Sequence, residues 1–385
     1  MSLGLQHVDP NKMNTGADPL LTRARRVVRS VRGALRTHYP GFIFGLPLAR
    51  AAIPVFVYHD VDATAFAGDL SFLRRNGYRT LGLEEFFSLS LRKSGTPDRC
   101  VLLTFDDARR NFFETALPVL QDFEARATLF APTYWMRDTH QFMSWDQIRT
   151  SLNSGLVDIQ SHGHRHALVL SSHRLLGFAT PRTLARYDIY DWPLRNTLAG
   201  DVSGRPLLGT PIYTATPLLS AAQRYVEDPG VTAECISYVE RSGGARYFDQ
   251  RDAVPRLRRL QAHWASGSPG RFASPEALRA LVASEFELSR EQFRRHLGYA
   301  PTHFAYPWMM GSSLSLDLAK QFGIQTVFGV ALDYRRARNP QLPVQAFGRL
   351  KADWLPLLPG EGRAHFLRIA AGKVTGISRT QHLAH

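Results

Sequence analysis

Short apolar runs that close on a polar residue recur through the middle of the chain. Residues 53–59 end in His59, 100–107 in Asp106-Asp107 and 157–162 in His162, with similar runs at 127–131, 302–306 and 325–331. Stretches of four to eight residues rich in Val, Phe and Thr predict buried strands. Between them, 65–76, 83–90, 111–124 and 275–297 carry helical spacing. Strand–helix alternation implies parallel strands joined by helical crossovers. At least six such units predict an α/β fold of the (β/α) barrel type.

The polar strand ends then gain a common meaning. In a (β/α) barrel the C-terminal strand ends converge on one face, where catalytic groups are displayed. His59, Asp106, Asp107 and His162 fall there, and Tyr306 to Trp308 close a further strand. The connection 167–301 is long for one crossover, so about 170–270 is read as an insertion capping the barrel mouth. The expected organisation is a 1–50 extension, a barrel over 51–355 and a tail over 356–385.

Charge adds a second theme. Lys and Arg exceed Asp and Glu by 47 − 33 = 14, which favours an anionic partner. Arg23, Arg25, Arg26, Arg29, Arg32 and Arg36 interleave with Ala24, Val27, Val28, Val31 and Leu35, whose spacing predicts a basic amphipathic helix between Leu20 and Tyr39. Such a helix can lie on an anionic membrane surface or pack on the main domain. Residues 1–19 are polar, and 41–56 is broken by Pro47, Arg50 and Pro54, so a cytoplasmic protein, peripheral to the inner membrane at most, is expected. Two cysteines exclude a disulfide framework. Nothing accompanying the charge reads bases or cradles phosphates, so no nucleic acid is expected.

The densest chemistry is Ser161-His162-Gly-His164-Arg-His166. Neutral imidazole is the commonest metal ligand. His162 and His166 can face one way if the strand end turns into a helix, and a carboxylate of the 106–107 pair would complete a three-ligand set with an open position. That set suits Zn²⁺ or a similar divalent ion. His162 and His164 offer a competing pair, as in amidohydrolase or phosphoesterase barrels. A third reading is a non-catalytic protein that binds membrane through its basic surface.

Thr104-Phe-Asp-Asp107 followed by His162-x-x-x-His166 resembles the first two motifs of the polysaccharide deacetylases with NodB homology, carbohydrate esterase family four. Phe304-Ala-Tyr-Pro-Trp308 resembles the third, and the run 285–298, with Ser289, Leu297 and Gly298, resembles the helix that often precedes it. The resemblance covers about 53–350. It implies a distorted (β/α) barrel of about seven parallel strands and a hydrolase removing an N-acetyl or other acyl group from an amino-sugar glycan or glycan precursor. By the same resemblance Asp107, His162 and His166 hold the metal (Zn, or else Co, Ni, Mn or Fe). Asp106 is the general base acting on a metal-bound water, and the Trp308 backbone N–H stabilises the oxyanion.

Two departures stand out. Ala305 occupies the place of the arginine that orients the catalytic aspartate, and Arg349 is the candidate substitute. The C-terminal Leu-x-His that supplies the acid is missing. Tyr58-His59 resembles instead the arrangement of the circularly permuted bacterial poly-N-acetylglucosamine deacetylases, which makes His59 the general acid. Without an export signal, a lipid-linked or nucleotide-linked sugar substrate is expected.

Overall fold

The computed structural model describes residues 41–48, 53–91, 99–197, 200–267, 270–329 and 344–375. The basic helix expected between Leu20 and Tyr39 lies outside them.

Strands β1 (Val55–Tyr58), β2 (Arg79–Thr80), β3 (Cys100–Asp106), β4 (Ala127–Ala131) and β5 (Val157–Ser161) come first. The insertion contributes β6 (Leu168–Phe178), β7 (Arg195–Thr197), β8 (Gly200–Val202), β9 (Pro211–Pro217), β10 (Tyr225–Val226) and β11 (Arg271–Phe272). The chain returns to the main sheet with β12 (His303–Ala305), β13 (Thr326–Phe328), β14 (Gln345–Phe347) and β15 (Leu350–Lys351). The main sheet runs β14-β13-β12-β5-β4-β3-β1-β15, with β2 also on β3, and every pairing in it is parallel.

This sheet curls into a half-barrel surrounded by helices, the α/β architecture expected. The edge strands β14 and β15 are separated only by Gly348 and Arg349. One chain segment therefore serves both edges of the sheet. Counting it once, and leaving aside the side branch β2, gives seven strand positions.

Strands β1, β3 and β4 are buried at every residue, as expected of parallel strands covered on both faces. The helix Ala63–Arg75 turns Phe66, Leu70 and Leu73 inward, and the Asp62 carboxylate caps it by accepting from the Ala65 N–H at 2.9 Å. Phe105 stacks on Tyr58 at 5.0 Å and meets Phe66 edge-on at 5.5 Å. These rings pack β1, β3 and the helix together immediately before Asp106.

The helix Pro275–Leu297 buries Leu278, Val282, Glu285, Phe286, Ser289 and Phe293. Their spacing of three and four residues makes one face, and two of its members are polar.

The insertion pairs β6 with β9 in antiparallel fashion. It has a small core of its own that includes Phe178, Val239, Tyr247 and Leu257. Cys235 lies in that core, while Cys100 lies on the main sheet; both are buried and neither is in a disulfide.

The packed unit runs past both expected boundaries. Phe42 and Ile43 join Leu355, Leu357 and Leu358 in the main core. The Arg363 guanidinium donates to the carbonyls of Leu357 at 2.9 Å and Gly45 at 3.1 Å. Among the described residues no helix is long and apolar enough to cross a membrane.

Candidate active site

Because the strands are parallel, their polar ends gather at one mouth. Asp106 ends β3 and Asp107 follows it; His162 follows β5, Trp308 lies beyond β12, and Arg349 sits between β14 and β15. His59 follows β1 and acts on the charge of Asp106. Asp107 (φ 73°), His166 (φ 51°) and Trp308 (φ 53°) adopt left-handed backbone. Non-glycine residues adopt it rarely, and it persists where surrounding structure over-determines it, often at active sites.

Asp107, His162 and His166 each point a ligand atom into one space, all within 4.8 Å of one another. Asp107 Oδ1 is 3.7 Å from His162 Nε2 and 3.5 Å from His166 Nε2. Donors about 2.0–2.1 Å from a tetrahedral zinc stand roughly 3.3–3.5 Å apart, so these spacings fit a divalent ion. His162 Nδ1 lies 2.8 Å from the Ala305 carbonyl oxygen. A carbonyl only accepts, so Nδ1 carries the proton and Nε2 presents its lone pair to the site. Burial also pushes the His162 pKa down, which keeps the ring neutral. Burial, opposed by Arg109 and reinforced by Asp106, pushes the Asp107 carboxyl up to about 8. A cation in this space would supply the missing countercharge.

Asp106 is held quite differently. Arg349 donates Nη1 to Oδ1 at 2.6 Å and Nη2 to Oδ2 at 2.7 Å, a two-pronged pair with both side chains buried. Burial alone would raise this carboxyl. Arg349, with His162 and His59, outweighs it and brings the pKa down to about 2. The guanidinium thus reaches the carboxylate from the connection between β14 and β15 and not from β12, the strand of Ala305.

His164 takes no part in the triad. Its Nδ1 lies 2.9 Å from Thr133 Oγ1, and the only three-ligand group among the described residues omits it. The competing His162–His164 pair is therefore not assembled: adjacent even positions at a turning strand end point to different neighbours.

Sequence reasoning gave several supports no role in the site, Glu285 and Ser289 of the run 285–298 among them. Glu285 accepts from the backbone N–H of His164 at 3.1 Å and of Arg165 at 2.7 Å, and from the Arg165 guanidinium at 3.0 Å. Ser289 Oγ meets Ser161 Oγ at 2.8 Å. The signal was present, as polar residues on the inward stripe of an amphipathic helix. Arg109, bonded to Asp188 at 2.8 Å, and Tyr190, beside His166, carried no local signal because the insertion delivers two of them.

Residues 93–187 match a family model described as polysaccharide deacetylase. The matched segment contains the triad and Asp106, while His59, Trp308 and Arg349 lie beyond it. A poly-β-1,6-N-acetyl-D-glucosamine N-deacetylase of Staphylococcus epidermidis is 30% identical over 115 residues, 29% of this chain and 39% of that protein. The protein of the same name in Escherichia coli K12 is 26% identical over 119 residues, 27% of this chain and 18% of that protein. The chain thus spans less than half the length of these curated relatives. A solved de-N-acetylase from Aggregatibacter actinomycetemcomitans has a TM-score of 0.49 at 17% identity, covering 83% of this chain and 99% of that one.

Proposed function

We propose that this chain is a metal-dependent hydrolase that removes an N-acetyl group from an amino-sugar glycan. The observation that carries the reading is the pairing of two unlike carboxylates at one mouth. Asp107 joins two imidazoles around a space for one ion, and its neighbour Asp106 is gripped by Arg349 and left ionised.

Asp107, His162 and His166 would hold the metal, with zinc the first choice for one oxygen and two nitrogen donors. When bound, it polarises the acyl carbonyl and lowers the pKa of water in the site. Asp106, charged at neutral pH, takes the proton of the attacking water on a carboxylate oxygen. The backbone N–H of Trp308 is assigned to the developing oxyanion. As the C–N bond breaks, His59 gives a proton to the sugar nitrogen, so the products are acetate and a free amine. A base and an acid of this kind each contribute about 10²–10⁴-fold.

The substrate part of the proposal follows the names of the relatives: β-1,6-linked N-acetylglucosamine, as oligomer or precursor. Acetate release from such oligomers, abolished by chelator and restored by zinc, tests it. Failure of metal-loaded protein to release acetate from any N-acetylated sugar refutes it. We further propose, from the net charge of +14 and the arginine-rich stretch before residue 40, a cytoplasmic setting at an anionic membrane with a lipid-linked or nucleotide-linked substrate. Flotation of the chain with anionic vesicles, lost on removing residues 1–40, is the expected result; equal flotation without them contradicts it.

A further inference from the structure

The two imidazoles of the triad are steadied by different means. His162 is fixed by its hydrogen bond to Ala305. His166 lies against two aromatic rings, Tyr190 stacked at 4.0 Å and 29°, and Trp308 at 4.2 Å and 53°. Trp308 belongs to the barrel. Tyr190 comes from the short turn Ile189–Asp191 within the insertion.

Tyr190 is itself firmly seated. Its side chain is fully buried and meets the Trp135 and Phe142 rings at 5.7 Å each. Asp188 caps the turn by accepting from the Tyr190 N–H at 3.3 Å, and it also pairs with Arg109 at 2.8 Å. Both partners of that pair are largely buried, at 8% and 14% exposure. The Arg109 guanidinium then lies 5.0 Å from the Tyr190 ring centre, a cation over an aromatic face. Arg109 is two residues from Asp107, so this contact ties the insertion to the loop that carries a metal ligand.

We propose that Tyr190, seated by the Arg109–Asp188 pair, is a positioning residue that fixes the His166 ring for metal binding, making the insertion a structural part of the metal site. This rests on Asp107, His162 and His166 being the ligands. The supporting contact is through ring faces, so the aromatic ring and not the hydroxyl carries the effect.

The test is zinc titration of the metal-free full chain against a chromogenic chelator, with the visible spectrum of the Co²⁺-loaded protein as a second readout. Groups that orient a metal-ligating histidine typically change affinity by about 10–100-fold when removed, so Y190A should weaken zinc binding by that much and alter the Co²⁺ bands. Y190F should stay within about threefold of the parent, and D188N should fall between the two. Should Y190A fail to fold, Y190L, which keeps bulk without the aromatic face, carries the same prediction as Y190A. Unchanged zinc affinity and Co²⁺ spectrum in Y190A or Y190L overturns the inference, as does a loss in Y190F equal to that in Y190A. A parent chain that takes up no zinc overturns the metal reading itself and this inference with it, whereas zinc uptake with an indifferent Tyr190 overturns the inference alone.

Discussion

Replacing Arg349 by Met tests the arrangement around Asp106 most directly. The substitution keeps an unbranched side chain but removes two hydrogen bonds of 2.6 and 2.7 Å from a carboxylate whose side chain is 4% exposed. Breaking a buried ion pair by removing one partner costs about 3–5 kcal/mol, because a charge is left uncompensated out of water. Asp106→Asn should cost a comparable amount, since it strands the guanidinium instead. The double variant strands neither charge, and its cost should therefore fall short of the sum of the singles by at least about 2 kcal/mol. Urea denaturation of the four chains in chelator measures this cycle without any contribution from metal. Single costs that add to within about 0.5 kcal/mol would show that the two groups act independently, and the proposed orienting role would be lost. The same R349M chain should lose about 10²–10⁴-fold in kcat/KM. R349K should not restore it, because an ammonium cannot supply two parallel bonds to one carboxylate.

Other substitutions separate the remaining roles. Asp106→Asn should abolish acetate release yet still bind one zinc, and Asp107→Asn should lose the zinc; metal analysis showing the reverse would exchange the two assignments. His162→Ala and His166→Ala should each abolish stoichiometric zinc uptake, while His164→Ala, whose ring faces Thr133, should retain it. Glu285→Ala leaves the N–H groups of His164 and Arg165 without their acceptor, at about 1–3 kcal/mol apiece. It should lower the urea midpoint and weaken zinc binding together, and a loss of stability with intact zinc affinity would disconnect this helix from the site. Zinc at a hundredfold excess over its Kd should raise the stability of the parent chain by about 2.7 kcal/mol, readable as a higher melting temperature that chelator reverses.

The elements with strong local patterns were legible from the residues alone. The strand over 127–131 and the helices over 83–90 and 275–297 occur where apolar spacing put them. The strands expected to end in His59, Asp107 and His162 each stop one residue earlier, because that polar residue begins the turn. Strands β2, β14 and β15 were invisible, since two or three residues cannot display a period and two of the three lie at sheet edges. Over 111–124 one helix was expected; a π-type turn at Phe112–Ala116 precedes the α-helix Leu117–Phe123, a local widening that side-chain spacing hardly registers. In the site, residue type and spacing single out the carboxylates at 106–107 and the histidines over 162–166, and only the family resemblance picks Asp107, His162 and His166 among them. Tyr190 and Asp188 carry no such signal, because their closeness to His166 and Arg109 is created only when the insertion folds back.

Arg349 and Asp106 are 243 positions apart, and the arginine stands where the final strand passes from one edge of the sheet to the other. During synthesis the three side chains proposed to bind the metal emerge long before it. A ribosome-bound fragment ending near residue 340 would own a complete ion-binding trio but an ungoverned base. Such distant pairings form late, since a long loop must be ordered before the contact returns anything. On the proposed mechanism, the base is oriented only once residue 349 has joined the sheet.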